Sequence, residues 1–251
     1  MAQITEIAPD IFRVCTYVPE IDLQFALFVV RDDEPLLFHT LTRAMFPAMR
    51  EAVSRLMDVS KLRWIGFSHF EADESGALNE WLSVAPQALP VSTPLAAMVN
   101  INDFASRPAR ALSSDETLDT GSHRFQFIPT PHLPHGWDAA VLFEQNNRAL
   151  LCSDLLHQSG DVEPITASDV LGRVRETLIA YQQHPLLANY LPYSELTHTH
   201  LHRLAQLSPK ILATMHGSVY EGDGSKTLLD LDSILREVLT QPSAMASSSG
   251  V

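Results

Sequence analysis

Apolar residues in the first third of this chain come in short runs separated by turn residues. Phe25 to Arg31 is almost continuously apolar and reads as a buried strand. Asp32-Asp-Glu-Pro35 reads as a turn and Leu36 to His39 as the returning strand, so a hairpin is predicted. Over residues 43–57, Met45, Met49, Val53 and Leu56 fall at helical spacing. Leu62 to Phe67 is the next predicted strand. It runs into Ser68-His69-Phe-Glu71-Ala-Asp73-Glu74-Ser-Gly76, and residues 77–84 then follow a helical pattern.

The second half repeats the plan. Phe125 to Ile128 is a predicted strand feeding the loop Pro129 to Asp138. Ala139 to Phe143 and Ala149 to Cys152 predict a hairpin that ends at Ser153-Asp154. Ile211 to Met215 is a short strand ending at His216-Gly217, and helical patterns cover 169–184, 194–207 and 226–239. Such alternation suits an α/β domain with two sheets face to face and helices outside. No internal linker is visible, so we expect one domain over residues 1–240, followed by a disordered tail, 241–251. The polar segment 157–168 is expected to be a mobile loop near the site.

Composition narrows the function. Hydrophobic residues make up 45%, enough to bury a sizeable core. Lys plus Arg is 17 against 30 Asp plus Glu, a net charge of −13, which argues against nucleic acid and against an anionic membrane surface. Two cysteines, Cys15 and Cys152, build neither a disulfide framework nor a Cys-based zinc site. The first residues lack a signal-peptide pattern and no apolar run has the length of a membrane span, so a cytoplasmic protein is expected.

The candidate chemistry sits at predicted strand ends, where active groups of α/β folds collect. His69, Glu71 and Asp73 follow one strand, His135 another, Asp154 a third and His216 a fourth. If 69–73 is extended, its three alternate residues face one cavity. Gly76 and Gly217 allow tight turns beside them. Any one of these His or Asp residues alone is more often a surface group or a satisfied core group; the series with its spacing is what carries weight.

That series resembles the metallo-β-lactamase-fold module of the flavodiiron proteins, and more closely their stand-alone relatives, the oxygen-binding diiron proteins. It covers nearly the whole chain except the tail. The family pattern is His-x-Glu-x-Asp, then His, Asp and His at long intervals. Here 61 residues separate Asp73 from His135, 18 separate His135 from Asp154, and 61 separate Asp154 from His216. His132 breaks the 18-residue interval, so His135 is preferred as ligand and His132 is left as a neighbouring loop residue. The resemblance implies a four-layer αββα sandwich and two non-haem irons. His69, Glu71 and His135 would hold one, Asp73 and His216 the other, and Asp154 would bridge. Hydrolytic zinc sites of this fold have His where Glu71 and Glu74 stand. Carboxylates there suit iron or manganese over zinc, though either is an expected substitute. The usual flavodiiron pattern also has His at 74. Glu74 is therefore either a further ligand of the second iron or a first-turn residue facing the helix dipole.

By the same resemblance the chain is expected to bind dioxygen, for sensing or storage, through a peroxo-type diiron species. It ends one helix after His216, so no flavin domain is expected within it. The alternatives are an oxygen or nitric oxide reductase served by a separate reductase, a metal-dependent hydrolase of the same fold, and a scaffold with a structural metal. A reductase or signalling partner and a homodimer are implied by analogy alone. Among other residues, His198, His200 and His202 fall in a helical pattern in which only 198 and 202 share a face, and read as a polar helix surface. His157 is the best placed of the remaining histidines to support a ligand. Trp137, Tyr193 and Tyr220 are candidates for an aromatic near the site, with core packing the first reading for each, and Cys152 is expected to pack within its strand.

Overall fold

A computed structural model describes residues 2–114 and 116–240. The expected tail, 241–251, lies outside the described residues. Among the described residues, fourteen strands form two sheets. The first contains β1 (Gln3–Ala8), β2 (Ile11–Val18), β3 (Leu23–Val30), β4 (Leu36–Phe38), β5 (Trp64–Gly66), β6 (Leu89–Ser92) and β7 (Arg110–Ala111), side by side in that order. The second contains β8 (Thr117–Asp119), β9 (Arg124–Pro129), β10 (Ala140–Glu144), β11 (Ala149–Ser153), β12 (Ile165–Thr166), β13 (Ile211–Thr214) and β14 (Val219–Glu221), in the order β12-β14-β13-β11-β10-β9-β8. The helices are α1 (Phe46–Ser54), α2 (Ala72–Ser75), α3 (Leu78–Val84), α4 (Pro94–Ala96), α5 (Asn102–Phe104), α6 (Leu171–Gln183), α7 (Glu195–Gln206) and α8 (Gly224–Leu239). Between α4 and α5 the chain winds as a π-helix, Ala97–Ile101.

Three apolar cores separate the layers, and the two-residue period of the strands sorts side chains between them. In β3, Leu23, Phe25, Leu27 and Val29 face a core shared with Met49 and Val53 of α1 and Trp81 of α3. Its other face, Ala26, Phe28 and Val30, meets Phe127, Leu142 and Leu151 of the second sheet. The outward residues of that sheet, Val141, Phe143, Leu150 and Cys152, pack under Val174, Leu201, Leu204 and Leu231 of α6, α7 and α8. The order is therefore helix, sheet, sheet, helix, as expected from the sequence. Because β3 is buried on both faces, it is apolar along nearly its whole length.

Asp32, in the turn between β3 and β4, pins the first sheet to the second. Its carboxylate accepts bonds from Thr120 Oγ1 (2.8 Å), Ser122 N (3.0 Å), Ser122 Oγ (2.9 Å) and His123 N (3.0 Å), all around the β8–β9 turn. Gly121, at φ +128°, leaves room for it: a Cβ there would lie 2.6 Å from Asp32 Oδ1. Partial burial by itself raises the Asp32 carboxyl, but the donors of Ser122, Thr120 and His123 outweigh it and hold it at about 2. Its contribution is thus full above the ordinary value of 3.8 and is lost as pH falls from there towards 2. Asp32→Ala should cost about 2–3 kcal/mol at neutral pH, since donors lose a charged acceptor. Urea unfolding of the metal-free protein at stepped pH checks this. A deficit that does not shrink below pH ~4 would refute the assignment.

The segment 157–168, expected as a mobile loop, is tied down. Gln24 Nε2 donates to Asp161 Oδ1 and to the Val162 carbonyl, each at 2.9 Å, and Ser218 Oγ donates to the Glu163 carbonyl at 2.6 Å.

Candidate metal centre

Each candidate ligand leaves the carboxyl end of a strand. The segment after β5 carries His69, Glu71, Asp73 and Glu74; the loop after β9 carries His135; Asp154 follows β11 and His216 follows β13. β11 and β13 run parallel and adjacent, which sets Asp154 beside His216. The expectation of an extended 69–73 segment is corrected. Glu71 caps α2, and Asp73 and Glu74 lie in its single turn, so successive residues face different ways. This bend sends His69 and Glu71 to one side of the centre and Asp73 and Glu74 to the other. Gly76 closes α2 with ordinary helical angles (φ −60°), so of the two glycines only Gly217, at φ +118°, needs left-handed backbone.

Two groups of donor atoms result: His69, Glu71, His135 and Asp154 in one, Asp73, Glu74 and His216 in the other. In the first, Glu71 Oε2 lies 2.7 Å from His135 Nε2 and 3.3 Å from His69 Nε2. Asp154 Oδ2 lies 3.6 Å from both imidazoles. In the second, His216 Nε2 lies 3.4 Å from Asp73 Oδ2. The other Asp154 oxygen, Oδ1, lies 3.3 Å from His216 Nε2, so this one carboxylate spans both groups. His132 is exposed and belongs to neither.

Surrounding residues orient the rings. His216 Nδ1–H donates to the Gln24 carbonyl at 2.7 Å, which turns Nε2 inward. Arg13 of β2 supports this from outside, its Nη2 lying 2.8 Å from both Gln24 Oε1 and the Gly217 carbonyl. His69 Nδ1 contacts Ser68 Oγ at 3.0 Å, and that hydroxyl also meets Ser153 Oγ (2.7 Å) and His39 Nε2 (3.1 Å). Asp138 Oδ2 accepts from Phe70 N and from Asn100 Nδ2, fixing the backbone between His69 and Glu71.

The electrostatics follow from burial against charge. Burial alone would lower the His216 imidazole, but its bonds to Asp154 and Asp73 and their charges reverse this, to about 10. Bonds from His135 and His69 bring Glu71 down to about 2. Burial, with Asp154, Asp73 and Glu71 adding like charge, pushes Glu74 well above the usual carboxylate range. Both Glu74 carboxylate oxygens are buried without a hydrogen bond, and the nearest imidazole nitrogen, His69 Nε2, is 3.7 Å away. A buried carboxylate in that position calls for a cation. Four carboxylates and three imidazoles fit two divalent ions with a preference for oxygen donors.

None of the three candidate aromatics lies beside the ligands, and Tyr193 and Tyr220 pack against the outer core, the first reading given to them. Trp137 is 55% exposed and turned outward. Tyr193 bonds Asp232, and Tyr220 packs in the outer core of the second sheet. The rings beside the ligands are instead Tyr190, 4.9 Å from His135 between centroids, and Tyr181, which bonds His157 Nε2 at 3.1 Å. His157 stacks 4.6 Å from His216, as its sequence position suggested, and burial with the neighbouring His216 charge keeps it neutral, at about 3. Tyr190 and Tyr181 come from α6 and the loop after it, and nothing local in the sequence marks them.

Two packed sheets between helices, with His and carboxylate side chains that could hold metal ions gathered at their strand ends, define a protein of the metallo-β-lactamase fold. The family model described as "ODP family beta lactamase" matches residues 24–217, and the chain belongs to that family. Among curated relatives, the anaerobic nitric oxide reductase flavorubredoxin of Salmonella arizonae is 24% identical over 77% of this chain, and the flavo-diiron protein FprA2 of Clostridium acetobutylicum 23% over 54%. The chain spans between 22% and 40% of the length of the curated relatives it matches. The flavodiiron protein from Giardia intestinalis superposes with a TM-score of 0.78 at 16% identity, covering 94% of this chain and 60% of the other. The metal-soaked Flv1 flavodiiron core from Synechocystis gives 0.79 at 18% identity, covering 96% and 62%. No helix among the described residues is long and apolar enough to cross a membrane.

Proposed function

We propose that this chain holds two non-haem irons and binds dioxygen at them. The observation that carries the reading is Asp154, whose two oxygens lie within 3.6 Å of ligand histidines in both donor groups. His69, Glu71 and His135 would hold one iron, Asp73, Glu74 and His216 the other, with Asp154 shared. When bound, two ferrous ions supply the two electrons needed to hold dioxygen in reduced form, and anionic oxygen donors favour the oxidised metals. Glu74, with no protein partner, is read as a ligand of the second iron.

The protein's own residues prepare the site for a small diatomic ligand. Gln24 and Arg13 keep His216 from rotating. Tyr190, Tyr181 and His157 form an aromatic wall that limits water. With the Tyr181 hydroxyl donating a hydrogen bond to Nε2 of neutral His157 at 3.1 Å, the His157 Nδ1–H faces the Tyr190 hydroxyl at 3.4 Å. That leaves the Tyr190 proton free to be donated.

Reduced, iron-loaded protein should turn visibly coloured on mixing with air, and the colour should persist. Metal analysis should find two irons per chain. An iron-loaded sample with an unchanged spectrum in air would eliminate this reading. The similarity to a nitric oxide reductase supports a second one, reduction of oxygen or nitric oxide with electrons from a separate reductase. Sustained gas consumption when a reductase is supplied would favour it.

A further inference from the structure

The helices outside the second sheet carry another convergence of metal-binding side chains. The Ser194 hydroxyl caps α7 and starts the turn that places His198 and His202 four residues apart on one face. Their ring centroids are 4.1 Å apart. Asp232, from α8 and only 5% exposed, reaches between them. Its Oδ2 lies 2.8 Å from His198 Nδ1 and 3.4 Å from His202 Nε2. The Tyr193 hydroxyl donates to the other oxygen, Oδ1, at 2.8 Å. That bond orients the carboxylate so that Oδ2 is the atom aimed at the two imidazoles, the support that ligand carboxylates commonly have.

We propose that His198, His202 and Asp232 form a third metal site, separate from the carboxylate-rich centre, that takes a borderline divalent cation of the zinc class. Two imidazole nitrogens and one carboxylate oxygen match the donor set of three-ligand zinc sites, in which water completes a tetrahedron. With metal–ligand bonds of about 2.0–2.1 Å, tetrahedral donors stand about 3.3 Å apart. The 2.8 Å and 3.4 Å spacings here bracket that value, so little movement is needed. The side chain of His202 is 45% exposed, which gives the ion and its water a way in. No residue of this triad belongs to the other donor groups, and its two-nitrogen, one-oxygen composition contrasts with theirs.

Arg236 is the opposing feature. Its Nη2 lies 3.4 Å from His198 Nδ1, while its Nε donates to the Tyr193 hydroxyl at 2.9 Å. A permanent cation there competes with an incoming one, and because the side chain is exposed it can give up these contacts to water as the metal enters. The consequence is a specific sign. Removing Arg236 tightens metal binding at this site, whereas a triad that served only as an ion-pair network would merely lose a partner.

The test begins with iron-loaded protein, titrated with Zn2+ while iron content is followed. One further ion should bind without iron release. The His198→Ala/His202→Ala double variant, changed only at partly exposed positions, should keep its iron and weaken zinc binding by more than about tenfold. Arg236→Ala should strengthen it several-fold. Asp154→Ala, whatever it does to iron, should leave this zinc equivalent in place, so the outcome does not depend on the function proposed above. No zinc uptake by the parent, uptake matched by iron loss, or undiminished uptake by the double variant would each overturn the proposal.

Discussion

Asp154→Ala should leave the chain with at most one of its two metal ions after loading with iron, while His132→Ala should load fully. Asp154 is buried, and its two oxygens face His69 and His135 on one side and His216 on the other. Glu74 of the second group also comes within 3.7 Å of His69, but among the described residues only Asp154 approaches ligand histidines of the two groups with separate oxygens. Losing it removes one ligand from each metal at once, so the affinity loss should exceed the roughly 10–100-fold typical of losing an outer partner. His132, three residues from His135, is exposed and serves as the internal control. Elemental analysis after desalting reads the result directly. Two irons per chain in the Asp154 variant would remove the bridging role.

Glu74→Gln should have opposite effects on the metal-free and the metal-loaded protein. In the metal-free state the carboxylate is buried without a hydrogen bond, among Asp154, Asp73 and Glu71. An isosteric neutral amide removes the like-charge repulsion and brings N–H donors to the surrounding carboxylates, a gain of about 1–3 kcal/mol. At about 2–4 °C per kcal/mol for a chain of this size, the melting temperature should rise measurably. The sign of the pH dependence follows. A carboxyl raised by folding makes the native state bind more protons than the unfolded one, so parent stability falls as pH rises above the ordinary value of 4.5. The advantage of Gln should therefore grow with pH and fade below that value. With iron present the order should reverse, because the second donor group keeps only Asp73 and His216 beside the shared Asp154. A variant that is less stable without metal and holds iron as tightly as the parent would show that Glu74 is no ligand.

β3 and the β10–β11 pair were legible because burial on both faces makes their runs apolar, whereas β2, equally long as β3, is interrupted by Arg13 and Thr16 and does not stand out. Among strands of two to four residues, β4, β5 and β13 showed through the apolar runs around them, whereas β6, β7, β12 and β14 lack such a run and are too short for periodicity to show. The candidate ligands were legible for another reason. They sit within eight residues of strand ends, and their intervals are unusual as a set. Alternating ligands suggest an extended chain over 69–73, whereas the Glu71 carbonyl accepts from Ser75 N and Oγ and starts a helical turn at Ala72, which places Glu74 in the first turn, one of the two readings offered for it. His198, His200 and His202 were read as one polar surface. In the structure His200 is buried on the opposite side, while His198 and His202 meet Asp232 of α8. That contact joins residues 34 positions apart, and nothing in either helix alone announces it.

Arg13 has a bearing on where this protein can be cut. The stretch that matches the family model begins at Gln24, yet the guanidinium that grips Gln24 Oε1 and the Gly217 carbonyl comes from β2, upstream of it. The smallest excisable piece that keeps His216 in its pose is therefore larger than the matched stretch. A fragment starting at residue 24 would carry every candidate ligand but would lack the brace behind one of them.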